Sequence, residues 1–190
     1  FGNLVAGVPI DADKQFTGTF FTLLTPYALF TGLTTLAVFL LHGAVFIALK
    51  SSGEVREDAG VLAEKFAVPA AVIAAVWAIW TQLAYGKTWT WAVVVVAALM
   101  LVVAIVMTRA RNEKLAFLAT SIVIIGAVVM IFGSMFPNVM PSTTDPAFSL
   151  DIHNAASTPY TLMVMTWVTV VFTPIVLLYQ GYSYWVFRKR

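Results

Sequence analysis

The chain has 190 residues, of which 61% are apolar and only 11% are charged, and its formal net charge is +2. A typical soluble domain is about 25% charged, and a chain of this length cannot hide so much apolar surface in a core of its own. The composition therefore excludes an ordinary soluble domain, a disordered chain and a nucleic-acid-binding protein, and it indicates an integral membrane protein.

The chain opens with a segment, residues 1–25, that lacks the basic start and apolar run of a signal peptide. It begins Phe1-Gly2-Asn3-Leu4 without an initiator Met, and we expect a piece of a longer chain. The first predicted helix covers about residues 26–50. Thr25-Pro26 is typical of an N-cap followed by proline at the first helical position, and Ser51-Ser52-Gly53 ends the helix.

Four further stretches are long enough to cross about 30 Å of hydrocarbon, which takes about 20 helical residues. We predict helices at about 66–85, 90–109, 114–136 and 159–187. The charged residues 51–65 indicate a solvated loop or a short surface helix. Asn112 and Thr158-Pro159 are N-cap signals for the last two helices, and Pro174 predicts a kink in the last one.

These five spans predict an all-α integral membrane protein that forms a single transmembrane domain over residues 1–190, with a four-helix bundle and one extra helix. A membrane β-barrel is excluded because the apolar runs are continuous rather than alternating.

The basic residues divide unevenly between the two ends of the predicted spans. Nine lie on one side: Lys50, Arg56, Lys65, Arg109, Arg111, Lys114, Arg188, Lys189 and Arg190. Only Lys14 and Lys87 lie on the other. Since cytoplasmic loops carry the excess of Lys and Arg, we predict a cytoplasmic C-terminus, with residues 1–25, 86–89 and 137–158 facing outward.

His42 is the one ionisable residue well inside the predicted spans, about two turns from the cytoplasmic end of the first. An ionisable side chain at membrane depth is costly and is a functional candidate by default. A histidine there could bind haem, relay a proton or contact a quinone headgroup. The alternative is a neutral His42 that is hydrogen-bonded to a neighbouring helix, with Gly43 allowing a close approach.

Other polar residues give weaker signals. Gln82, near the outer end of the second span, is expected to bond to a neighbouring helix or to interfacial water. Asp145, Asp151 and His153 match no metal-ligand spacing. The Pro, Ser and Thr residues around them favour an ordered turn segment over residues 137–158.

The chain lacks the residue sets that catalysis needs. It contains no cysteine, no plausible Ser-His-Asp set, no phosphate-binding loop and no HExxH motif. Four methionines could in principle be axial haem ligands: Met130, Met135, Met163 and Met165. Methionines on apolar helices usually serve packing instead. We predict no catalytic residue, no metal site and no cofactor-binding residue in this chain, with His42 as the candidate contact for a proton or a quinone.

Several ordered motifs carry a family resemblance. They are Phe1-Gly2-Asn3-Leu4-Val5-Ala6-Gly7-Val8-Pro9, then Gly18-x-Phe20-Phe21-x-Leu23-Leu24-x-Pro26, then Met135-Phe136-Pro137-Asn138-Val139-Met140-Pro141-Ser142, then Ser157 through Trp167, and last Pro174-Ile175-Val176-Leu177-Leu178-Tyr179 with the basic end. In this order they resemble subunit II of the cytochrome bd quinol oxidases. The resemblance covers most of the chain, and each motif alone would be weak.

The resemblance implies the C-terminal one of two helical bundles, and thus half of a longer subunit in the bacterial plasma membrane. It implies a complex that oxidises quinol at the outer face, reduces oxygen to water and builds a membrane potential. Haem b and haem d are then expected in the partner, subunit I, and none in this chain. The implied partners are subunit I, small accessory single-helix subunits, quinol and the lipid bilayer, with no nucleic acid.

Two other functions stay open at this level. Half of a small-solute transporter would show broken helices and polar residues at the membrane midplane, and this chain offers only Pro174 and His42. A pure assembly or scaffold protein is hard to separate by sequence from a non-catalytic oxidase subunit.

Overall fold

A computed structural model describes residues 1–188. The helices are α1 (Gly2–Ala6), α2 (Pro26–Lys50), α3 (Gly53–Tyr85), α4 (Thr90–Arg109), α5 (Glu113–Met135) and α6 (Pro159–Val186). Two short strands, β1 (Asn138–Met140) and β2 (Leu150–Asp151), pair in antiparallel fashion. Helices α2 to α6 are each long and apolar enough to cross a membrane, which confirms the prediction of an all-α integral membrane protein. Lys189 and Arg190, counted in the charge asymmetry, lie outside the described residues.

Side-chain caps begin three of the spanning helices where the sequence predicts them. Thr25 Oγ1 accepts a hydrogen bond from the Ala28 amide at 3.1 Å, with Pro26 in the first helical turn. Asn112 Oδ1 accepts from the Leu115 amide at 3.2 Å at the start of α5. Thr158 caps α6 in the same way. These caps satisfy amides that have no partner inside the helix.

Helix α3 is longer than expected. It begins at Gly53, so most of residues 51–65, for which the sequence left a loop or a short surface helix open, are helical and continuous with the membrane span rather than a separate helix. Charges end a hydrophobic span but not a helix, because Glu, Arg and Lys are good helix formers. Ala59, Gly60 and Ala63 are buried along one side of this extension. At 1.5 Å per residue, 33 residues reach about 50 Å, well beyond the hydrocarbon layer.

The chain divides into two compact units, Phe1–Ile152 and His153–Arg190. In the first, α2 packs chiefly on α3 and α4 on α5, and contacts of α3 with α4 and of α2 with α5 close a four-helix bundle. The second contains α6, which continues through Pro174. That the chain is a single domain, and half of a longer subunit, stays a prediction.

Small side chains dominate the contact between α2 and α3. The largest such cluster consists of Ala37, Leu41, Ala44, Val45, Ala63, Ala67, Ala70 and Ala116. Alanines spaced three or four apart lie on one helix face and let two backbones approach closely, which is how membrane helices gain van der Waals contact without a hydrophobic driving force. A second cluster, nearer the predicted outer end of the bundle, contains Tyr27, Trp77 and Met130.

The predicted outer segments lie together at one end of the bundle. The Val8 amide donates to the Pro141 carbonyl at 3.1 Å, and the Thr143 amide donates to the Val8 carbonyl at 3.0 Å. Lys14 Nζ donates to the Ala147 carbonyl at 2.8 Å. Residues 137–152 therefore form an ordered segment, as the sequence predicts for this part of 137–158, and hydrogen bonds that the sequence did not indicate join it to the N-terminal segment.

Candidate functional site

His42 bridges α2 and α5. It is half-buried, and its Nδ1 lies 2.8 Å from Oγ1 of Thr120. The imidazole stacks on Phe117, with ring centroids 4.7 Å apart and planes 26° apart. Phe46, one turn further along α2, packs against the Phe117 ring, with ring centroids 5.8 Å apart. The intramembrane histidine is thus held by one hydrogen bond and one aromatic face.

Thr120 determines the direction of that hydrogen bond. Its Oγ1 lies 3.0 Å from the carbonyl oxygens of both Ala116 and Phe117, so its single hydrogen is directed to the backbone of its own helix. The hydroxyl oxygen therefore accepts from Nδ1–H of His42. This assigns the neutral tautomer with hydrogen on Nδ1 and leaves Nε2 as an acceptor. Within residues 1–188, Nε2 has no hydrogen-bond partner.

A second polar network, unanticipated from the sequence, links α2 and α3 near their predicted outer ends. Thr81 Oγ1 donates to the Trp77 carbonyl at 2.8 Å, so the Tyr27 hydroxyl, also 2.8 Å away, donates to Thr81. Trp77 Nε1 donates to Thr31 Oγ1 at 3.0 Å, and Thr31 donates to the Tyr27 carbonyl at 2.8 Å. The spacing of four between Tyr27 and Thr31, and between Trp77 and Thr81, is the one signal that could have shown it.

Gln82 closes the turn between α3 and α4. It is buried, its Nε2 donates to the Lys87 carbonyl at 2.9 Å, and its Oε1 accepts from Thr90 Oγ1 at 2.7 Å. The Lys87 amide donates to Thr90 Oγ1 at 2.9 Å. Gln82 is therefore bonded to the neighbouring helix, one of the two arrangements expected for it.

Two ion pairs hold the predicted cytoplasmic end of the bundle. Arg56 contacts Oε1 of Glu113 through Nη2 at 2.8 Å and Nε at 3.1 Å, which ties α3 to α5. Arg111 Nη2 lies 3.4 Å from Oε2 of Glu64. A side chain at position 60 would collide with the Arg111 guanidinium, so Gly60 gives that group its room. Neither pair is visible in the sequence, because each joins residues far apart in the chain.

The acidic residues of the 137–158 segment have structural partners. Asp145 Oδ1 accepts from the Ala147 amide at 2.8 Å and caps the short 3₁₀ turn that follows. Asp151 lies in β2 opposite Asn138, whereas His153 belongs to the second unit. Across residues 1–188, no three His, Cys, Asp or Glu side chains lie close enough to hold a metal ion.

Comparison with known proteins shows which family the chain resembles. A family model described as cytochrome bd terminal oxidase subunit II matches residues 1–187. Similar curated proteins include the cytochrome bd ubiquinol oxidase subunit 2 of Bacillus subtilis (strain 168), 33% identical over 100% of this chain. The cytochrome bd-I ubiquinol oxidase subunit 2 of Escherichia coli (strain K12) is 28% identical over 97% of this chain.

The chain is shorter than these relatives. It spans 58% of the length of the Bacillus subtilis protein and 59% of that of the Escherichia coli protein. The similarity therefore covers only part of each relative.

Proposed function

Because the chain belongs to the family described as cytochrome bd terminal oxidase subunit II, we propose that it acts as a structural subunit, without haem ligands of its own, in a quinol-oxidising, oxygen-reducing complex of the bacterial plasma membrane. The proposed complex couples quinol oxidation and oxygen reduction to water with generation of a membrane potential. The observation that carries this proposal is the family match over residues 1–187 in a chain with five membrane-spanning helices.

The described residues of the bundle do not bring two possible axial haem ligands together. A haem held by two side chains has one on each side of the iron, as His and Met hold it in cytochromes c. His42 lies toward the predicted cytoplasmic end of α2, with Nδ1 bonded to Thr120. Met130 and Met135 are 2% and 7% exposed and pack in the cluster at the opposite end. We therefore propose that haem b and haem d belong to a partner, subunit I.

We propose two roles for His42. Its hydrogen bond and ring stack hold α2 against α5 at membrane depth. Its Nε2, left as an acceptor, is the atom that could take a proton or a hydrogen bond from a quinol hydroxyl. The structural support is the tautomer set by Thr120, since the reverse tautomer would make Nε2 a donor.

Affinity purification of the full-length subunit from its own membrane tests the oxidase assignment. We expect a larger haem-containing protein to co-purify, with the visible absorption bands of b-type and d-type haem. A subunit that purifies intact and stable, with no haem-containing partner, would refute the proposal. It would favour a transporter or scaffold role instead.

A further inference from the structure

The four-helix bundle contains an apolar cavity of about 330 Å³ in its predicted outer half. All four helices contribute buried walls, among them Val38 on α2, Trp77 on α3, Leu101 on α4 and Val123 on α5. Voids larger than a water molecule are few in a well-packed interior, and an engineered apolar cavity of about 150 Å³ already binds benzene or xenon. The volume here falls in the range of ligand sites, of which the interior of a helix bundle is a common location.

Small side chains create this space. Ala78, Ala97 and Ala127 line it, together with Gly126. A Cβ added at Gly126 would lie 3.5 Å from Cβ of Ala97 and 3.7 Å from Cγ1 of Val93, which is ordinary contact. Close helix packing therefore does not require glycine at position 126, and the missing side chain leaves open volume instead.

The threonine hydroxyls in the cavity wall already have partners on the protein. Thr31 Oγ1 accepts from Trp77 Nε1 and donates to the Tyr27 carbonyl. Thr34 and Thr35 donate to the carbonyls one turn earlier on α2, both at 2.9 Å. The other buried wall residues are apolar apart from Trp77, whose Nε1 is bonded to Thr31, so a hydrocarbon would fill the space without depriving a buried polar group of a partner.

The opening and the size of the cavity further limit what kind of molecule can occupy it. Phe39 and Val128 line the cavity and are also 55% and 46% exposed, so the space continues to the surface of the four-helix bundle. The cavity lies among side chains of all four packed helices, so a thin, flexible chain fits it better than a rigid helix about 10 Å wide. The hydrocarbon present at this depth of the bilayer is the lipid acyl chain.

We propose that this cavity binds one acyl chain of a membrane phospholipid, which completes the packing of the outer half of the bundle. The proposal is independent of the oxidase assignment, because it rests on the cavity and its walls. Its readout is lipid contact and not turnover.

Photo-crosslinking in nanodiscs tests the site. The purified assembly is placed in phosphatidylethanolamine nanodiscs doped with phosphatidylglycerol that carries a diazirine near the middle of one acyl chain, and adducts are mapped by peptide mass spectrometry. We expect adducts on wall residues of α3 and α5. Ala78→Leu combined with Ala127→Leu fills the cavity and should reduce those adducts at least about tenfold. Ala92→Leu, at an exposed position outside the wall, should leave them unchanged.

Three results would overturn the proposal: no adducts on wall residues of the unaltered protein, undiminished wall adducts in the filled variant, or loss of the adducts on adding ubiquinone without any change of phospholipid. The last would assign the cavity to an isoprenoid tail. If the double variant does not assemble, Ala127→Leu alone gives the same comparison with a smaller fill, and a graded loss of adducts still supports the site.

Discussion

Replacing His42 and Thr120 separately distinguishes a contact role for the histidine from a packing role. His42→Leu removes the imidazole, its hydrogen bond and its stack on Phe117, whereas Thr120→Val removes the same hydrogen bond and leaves the imidazole in place. If Nε2 serves a proton or a quinol, only His42→Leu lowers turnover strongly.

The structural cost of each change can be worked from the contacts. One hydrogen bond between membrane helices contributes about 0.6 kcal/mol on average and at most about 1.7 kcal/mol. An aromatic stack such as that of His42 on Phe117, at 4.7 Å, adds about 0.5–1.5 kcal/mol. Thr120→Val should destabilise the protein by more than this average, about 1–3 kcal/mol, because it leaves Nδ1–H of His42 without its acceptor. His42→Leu should cost no more than about 2 kcal/mol, since the leucine restores apolar packing.

The assay is quinol oxidase turnover per haem in the purified complex, with haem content and unfolding midpoint measured on the same samples. We expect His42→Leu to lower turnover at least about tenfold at unchanged haem content, a loss equal to about 1.4 kcal/mol in the barrier. Thr120→Val should lose less than about twofold. A fall in kcat with a shifted pH profile would indicate proton transfer, and a raised KM for quinol would indicate quinol contact. Full activity in His42→Leu would refute the reasoning and leave His42 as a packing residue.

Two further predictions concern packing and orientation. Ala67 is 0% exposed between α2 and α3, so Ala67→Leu should destabilise the bundle by about 1–3 kcal/mol. Ala92→Leu, at an exposed site, should leave the stability unchanged. Equal unfolding midpoints of the two variants in a detergent titration would contradict the importance of the alanine-rich contact. A cysteine at the exposed Thr144 should react with an impermeant maleimide added outside intact cells, and one at the exposed Glu57 only after permeabilisation; the opposite pattern would reverse the predicted orientation.

Local signals in the chain predict most of the helix ends. Thr25, Asn112 and Thr158 cap their helices where expected because an N-cap bonds to an amide only a few residues away. The apolar lengths likewise give five spans, because hydrocarbon thickness sets a minimum that each stretch meets on its own. The start of α3 was missed, since charges mark the edge of the membrane but do not interrupt a helix.

The sequence by itself determined that the chain spans a membrane, how many times it does so, and that His42 is the unusual residue within it. The tertiary structure decided which residues His42 contacts and which residues form the ion pairs at the predicted cytoplasmic end. It also decided that small side chains leave a cavity in the bundle. The physical reason is that span length and capping depend on neighbours in the chain, whereas these contacts depend on the rotation and separation of packed helices. In a chain that is apolar around every helix, periodicity does not reveal that rotation.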